Sequence, residues 1–244
     1  MKSHMRATEF EFRYRSLLNL LHFWLTFQVY VIDHVNVVQA AVPWAISLTG
    51  LHARVVTRVL FALGALLVGL GAAIRTWGAA YIRSDVVHDT NLHVEKLVAD
   101  GPYRRVRNPL YLGSFLWTIG LGFLASRLGF VILAGGAAIR ILRLIGREEA
   151  KLDEQQGEKY REYRRRVRRL LPALTTRVPT GGIEPRWGQA FRGEAAIWCC
   201  LVAMIAFTVT LQARVAWIGL GAAVGVWFGL HGVRMARRAR PQKS

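Results

Sequence analysis

Two polar clusters in an otherwise apolar chain have the residue types to bind a small charged molecule. The first, Gly101 to Gly113, reads GPYRRVRNPLYLG and sets a basic, aromatic turn against the start of a hydrophobic helix. The second begins at Arg147-Glu148-Glu149, just after another apolar run, and opens a long charged stretch. In the first cluster Gly101-Pro102 makes a turn, and Asn108-Pro109 favours an extended residue followed by helix initiation. Backbone amides exposed at such a helix start can meet an anion. Tyr103 and Tyr111 add aromatic faces with polar handles, suited to an adenine or an onium group. In the second cluster, Glu148 and Glu149 suit ribose hydroxyls, an amine or a sulfonium, and desolvation strengthens both kinds of contact. A purely structural reading stays open for each: a helix entry with an aromatic belt, and carboxylates neutralised by neighbouring arginines.

Arg140, Arg143 and Arg147 step by three and four residues and therefore share one helix face. They either snorkel to lipid phosphates or form a cationic wall for an anionic head group or a substrate carboxylate.

The elements that position these residues follow from composition. In a chain of 244 residues, 53% hydrophobic with a mean hydropathy of +0.26, a membrane protein is expected rather than a soluble one. Crossing a bilayer core takes about 20 mostly apolar residues in a helix, fewer with snorkelling or local thinning. The expected spans are Leu17–Ile32, Val55–Ala80, Leu110–Ala125, Leu128–Ile145, Ala195–Leu211 and Val215–Val233. The predicted fold is thus all-α, a polytopic bundle of about six spans with a cytoplasmic amphipathic helix. Residues 1–54 form a peripheral segment with the first span, residues 55–172 the chemical core, and residues 173–244 a loop with two further spans.

The formal charge of +18 would suggest nucleic acid in a soluble protein. Here the basic residues fall in alternate connections, while the other three hold only Arg54, Arg127 and Arg214. Positive-inside logic then places both termini in the cytoplasm, with a bacterial inner membrane as the expected location. Basic loops also attract anionic lipid at about 1 kcal/mol per residue near the surface. No aromatic-basic platform or reading helix is visible, so no nucleic-acid partner is expected.

Only Ser126 and Arg127 join the third and fourth expected spans, which predicts a tight antiparallel hairpin that brings both polar clusters to one face. Gly113, Gly120 and Gly122 on one arm, with Gly135 and Gly136 on the other, predict close packing of helix backbones. From Arg147 to Leu171, Leu152, Tyr160, Tyr163, Val167 and Leu171 recur at helical spacing, with an interruption near Gly157. This is the pattern of an amphipathic surface helix. Cys199 and Cys200 are adjacent in an apolar run and make no disulfide framework or metal pair. His88 and His93 have no third ligand spaced with them, so no metal is expected. The N-terminus lacks a cleavage pattern, so the first apolar run is expected to remain as an anchor.

The segment LVADGPYRRVRNPLYLG, followed after one hairpin by REEAKLDEQQGEKYREYRRRVRRLLP, resembles the membrane methyltransferase superfamily of isoprenylcysteine carboxyl methyltransferases and phospholipid N-methyltransferases. Members show GPY-x-x-x-RHP-x-Y-x-G and then EE-x-x-L-x-x-x-FG-x-x-Y-x-x-Y with a basic run and a proline. The likeness covers about Leu97 to Pro172, with weaker support at Arg75-Thr76-Trp77. Asn108 stands where many members have His, and Gln156 where Phe precedes Gly157. Asn donates and accepts hydrogen bonds but takes up no proton at neutral pH.

The resemblance implies S-adenosylmethionine bound from the cytoplasmic side and a lipophilic acceptor entering from the bilayer. It implies cofactor contacts from Gly101, Tyr103, Asn108, Pro109, Tyr111, Glu148 and Glu149, with Arg107, Arg147 and Glu149 at the reacting groups. No Rossmann fingerprint is present, since Gly69-Leu70-Gly71 lies within an apolar span. The acceptor is either a carboxylate, as in isoprenylcysteine, or the amine of phosphatidylethanolamine. An NADPH-dependent sterol-type reductase and a lipid-binding scaffold are the readings from other classes.

Overall fold

The computed structural model describes residues 6–82 and 99–238; His88 and His93 lie outside the described residues. Among the described residues the protein is all helical. Helix α1 (Glu9–Arg13) and α2 (Arg15–Gln28) precede α3 (Val37–Thr49) and the long α4 (Ala53–Tyr81). A short 3-10 turn at Gly101–Arg104 leads to α5 (Pro109–Gly122) and the 40-residue α6 (Arg127–Arg166). The chain closes with α7 (Trp187–Gly193), α8 (Ala195–Thr210) and α9 (Ala213–Arg238).

Local chemistry sets these boundaries. Asn36 caps α3 by accepting from Val38 N at 2.8 Å, and Ser126 caps α6 by accepting from Gly129 N at 3.1 Å. Thr8 and Glu11 form a reciprocal capping box on α1. Pro109 opens α5 at the position where its missing N–H costs nothing.

Among the described residues not all six expected spans form helices of spanning length. Among the described residues three helices are long and apolar enough to cross a membrane: α4, α6 and the Ala213–Leu230 part of α9. The pair α7 and α8, bent by 63°, makes a fourth if it is one span. The expected first and third spans are α2 and α5, each of 14 residues, or about 21 Å at 1.5 Å per residue against a hydrocarbon core of about 30 Å. A 3-10 turn at Val29–Val31 ends the first, and α5 stops at Gly122 before the hairpin. Within the peripheral residues 1–54, the short segment after the first expected span is α3, a helix with Pro43 inside it and Gly50 as its left-handed cap.

The expected hairpin is present, but its glycines face elsewhere. Gly71 of α4 lies against Gly113 of α5, where an added Cβ would stand 2.6 Å from the Gly113 carbonyl. Seven residues on, Gly120 packs against Gly64 in the same way, its own added Cβ 2.5 Å from the Gly64 carbonyl. The glycines therefore let α5 approach α4 rather than its hairpin partner. Gly122 alone faces across the turn, toward Phe130, and Gly136 makes room for His22 of α2. Around this seam Val68, Leu121, Cys200, Met204 and Ala223 form one buried cluster. Helices α8 and α9 thus share a core with α4 and α5.

Helix α6 bends at Gly157, whose φ of 53° and ψ of −128° are non-helical. Beyond it Tyr160, Tyr163 and Val167 are buried together, while Leu171 is exposed. The chain then runs back along the Gly101–Arg107 turn. Arg107 N donates to Arg168 O at 2.8 Å, Ala173 N to Arg105 O at 3.0 Å, and Arg177 N to Arg104 O at 2.8 Å.

Candidate active site

The first polar cluster is held from three directions. Gly101 has a φ of +54° and packs on the Tyr81 ring, so a side chain there would be both strained and obstructed. Tyr163 Oη donates to the Tyr103 carbonyl at 2.8 Å. Asp100, buried at the turn's base, accepts from Thr180 Oγ1 at 2.5 Å, Gly181 N at 2.8 Å and Ile183 N at 3.1 Å. Burial raises the Asp100 pKa, but these donors outweigh it and hold the carboxyl below its ordinary value.

The hairpin brings the second cluster onto the first. Tyr111 Oη donates to Glu148 Oε1 at 2.7 Å. Glu149, 5% exposed, accepts from Asn108 Nδ2 at 3.2 Å and lies 3.3 Å from Arg107 Nη1. Arg169 closes the other side of the same carboxylate with two donated bonds, and its carbonyl accepts from Asn108 Nδ2 at 3.1 Å. Two cations and an amide thus surround one buried acid, which satisfies its desolvation cost.

A cavity of about 690 Å³ opens beside this contact. Of the sequence-expected residues, Tyr103, Arg107, Asn108, Pro109, Tyr111 and Glu148 line it. Gly101, Arg147 and Glu149 do not. Gly101 shapes the turn, and Glu149 lies behind the wall as counter-ion. Arg147 faces away: it pairs with Glu9, donates to the Ala7 carbonyl at 3.1 Å and covers the Phe12 ring. The rest of the lining includes apolar and aromatic side chains, among them Phe23, Phe27, Trp117, Trp217 and Leu220.

Several site residues carry little sequence signal. Arg75 and Glu194 form a bidentate pair at 2.8 and 2.9 Å on the cavity wall, and Arg75 Nη1 also donates to Ser114 at 2.5 Å. Glu194 is 2% exposed and joins α8 to α4. The available clue is a charged residue near the end of each of two apolar runs. Arg169 is hidden within a basic run.

The polar atoms on the wall that lack hydrogen-bond partners among the described residues include Tyr103 Oη and Nε of Arg107, while Nη1 of Arg107 faces the Glu149 carboxylate. Burial holds the Tyr103 phenol well above its ordinary pKa, so it remains a donor at neutral pH. Buried donors normally find acceptors, and this pair on a cavity wall suits a ligand carrying them. No group of three His, Cys, Asp or Glu among the described residues is placed to hold a metal ion.

Comparison with known proteins agrees with this geometry. Residues 59–159 match the family model described as phospholipid methyltransferase. The chain is 31% identical over 120 residues to the cobalt-zinc-cadmium resistance protein CzcN of Cupriavidus metallidurans, covering 49% of this chain and 52% of that protein. It is 33% identical over 79 residues to the protein-S-isoprenylcysteine O-methyltransferase of Schizosaccharomyces pombe, covering 32% and 34%. It is 23% identical over 164 residues to the nickel-cobalt-cadmium resistance protein NccN of Alcaligenes xylosoxydans xylosoxydans, covering 67% and 74%. The first two matches thus span about half and one third of those relatives. No solved structure matches. The family model and the isoprenylcysteine enzyme both fit one membrane methyltransferase superfamily, and residues 59–159 are the part of this chain that is similar to it.

Proposed function

We propose that this protein transfers a methyl group from S-adenosylmethionine to a lipophilic acceptor that reaches the cavity from the bilayer, at the cytoplasmic membrane face with both termini on that side. The observation that carries this reading is the junction of the two motifs on one cavity wall, the 2.7 Å bond from Tyr111 to Glu148. The wall's chemistry fits the cofactor. Glu148 suits ribose hydroxyls or the ammonium, Arg107 Nε and Tyr103 Oη present donors without hydrogen-bond partners, and Tyr111 offers an aromatic face. When bound, S-adenosylmethionine supplies an electrophilic methyl group on a sulfonium.

The protein's part is alignment and exclusion of water. Tyr103, Asn108, Pro109, Tyr111 and Glu148 hold the cofactor. Arg107, kept in place by Glu149, orients an anionic group beside it. Glu149 is a positioning residue, because it touches the cavity only through its neighbours. Arg147 fastens the N-terminal segment over α6. The apolar and aromatic lining takes the acceptor's hydrocarbon.

The Arg107 donors favour a carboxylate acceptor of the isoprenylcysteine type, which is already ionised and needs only positioning. Glu148 supports the second reading, the amine of phosphatidylethanolamine, since that amine must first lose a proton to a nearby base. Incubating the purified protein with methyl-labelled S-adenosylmethionine and a lipid extract, followed by mild alkali, separates the two. Label released as methanol identifies a carboxyl ester, and alkali-stable label in phospholipid identifies N-methylation. No incorporation contradicts methyl transfer.

A further inference from the structure

Arg140, Arg143 and Arg147 lie along one face of α6, yet their surroundings differ. Arg143 pairs with Glu11 at 2.8 Å, and Arg147 with Glu9. Neither lines the cavity. Arg140 does line it, and among the described residues no carboxylate lies within ion-pair distance of it. Its Nη2 is 2.9 Å from Nδ1 of His22, whose Nε2 is 3.1 Å from the Ile132 carbonyl. A carbonyl only accepts, so His22 carries its proton on Nε2 and offers Nδ1 as the acceptor. The neutral ring orients the guanidinium without cancelling its charge.

This arrangement has its own niche. A Cβ at Gly136 would stand 2.6 Å from Nε2 of His22, so the glycine clears the space in which the imidazole sits against α6. The α2 and α6 residues that line the same cavity with Arg140 are largely apolar, among them Leu20, Phe23, Ile141 and Leu144, with Ser16 and Asn19 as polar neighbours on α2. A cation on an apolar wall is costly unless an anion meets it, and a guanidinium fork matches the oxygens of phosphate and carboxylate.

We propose that Arg140, oriented by His22 in the niche left by Gly136, is an anion subsite that takes the phosphate or carboxylate of an acidic amphiphile whose chain lies along the apolar wall. Eight residues separate Arg140 from Glu148, about 12 Å at 1.5 Å per residue. The acid held there is therefore an anchor, apart from the atom that receives the methyl group. Identifying this amphiphile with the methyl acceptor rests on the proposed function; the binding itself does not.

The test uses the full chain in neutral dodecyl maltoside micelles, titrated with dodecyl phosphate brominated near the chain end, with tryptophan quenching as the readout. Arg140→Gln weakens saturable quenching at least tenfold, whereas Arg143→Gln, on the same helix face outside the cavity, leaves it within twofold. Inorganic phosphate and dodecyltrimethylammonium do not compete. Equal losses in both variants mean diffuse surface attraction, no loss in Arg140→Gln means the arginine binds nothing, and competition by inorganic phosphate means a free-anion site; each overturns the proposal. Should Arg140→Gln fail to fold, phenylglyoxal labelling of the wild-type protein decides. Dodecyl phosphate protects Arg140 and not Arg143, and absence of that protection refutes the subsite. S-adenosylhomocysteine binding is measured in the same samples. Its absence from wild type counts against methyl transfer and leaves the anion subsite standing.

Discussion

Glu148 and Glu149 are neighbours in sequence, yet they occupy different regions of the molecule. Behind the cavity wall, Glu149 is enclosed by Arg107, Asn108 and Arg169. On the wall, Glu148 meets the Tyr111 hydroxyl and faces the cavity. One helical step of about 100° separates a carboxylate that holds the fold from one placed to meet a ligand. In the proposed function a paired-acid motif divides its labour: one acid fixes the wall so that the other can meet the ligand.

The largest expected effect tests the structural side. Glu149→Ala leaves two cations without their counter-ion, one of them with a side chain only 11% exposed, and costs about 3–5 kcal/mol by the usual penalty for breaking a buried pair. Thermal unfolding in detergent measures this, and a midpoint close to wild type would break the comparison. Glu148→Gln is the converse. It lowers turnover about 100-fold, a typical size for a lost charged contact or general base, while the unfolding midpoint stays near wild type. A large stability loss in Glu148→Gln would put both acids in the same role.

Asp100→Asn probes the base of the turn that carries Tyr103. Losing charge-assisted bonds to Thr180, Gly181 and Ile183 costs about 1.5–3 kcal/mol, seen as faster proteolysis within residues 174–186. Because the folded carboxyl has a lowered pKa, its contribution is complete above the unfolded value of about 3.9 and disappears as pH falls through the lower folded value. The stability gap between wild type and Asp100→Asn therefore closes in acid. A gap independent of pH would contradict the assignment. Tyr111→Phe is the smallest change. It removes one hydrogen bond worth about 1 kcal/mol and weakens S-adenosylhomocysteine binding several-fold without altering the fold. Unchanged binding would mean that Glu148 needs no such partner.

Much of this was readable from residue order. The expected short connection at Ser126-Arg127, which in the structure is Phe123 to Ser126, forces the hairpin, and the hairpin brings Tyr111 toward Glu148. The bend at Gly157 was readable too, since glycine in a charged helical pattern marks a break. Partners far apart in sequence were not. Arg75 and Glu194 are separated by 119 residues, and nothing in either local pattern names the other. The glycines of α5 signalled close packing but not its direction, because a helix face shows periodicity and not its neighbour. Apolar runs overstate helix length at α2 and α5, where composition continues past the point at which a 3-10 turn and the hairpin end the helix.

Calorimetric titration of the detergent-purified protein with S-adenosylhomocysteine tests the central claim most directly, with Glu148→Gln in parallel. The account predicts saturable one-to-one binding to wild type, weakened at least tenfold by a substitution that leaves the unfolding midpoint in place. No binding to wild type, or identical binding to the well-folded variant, would contradict it.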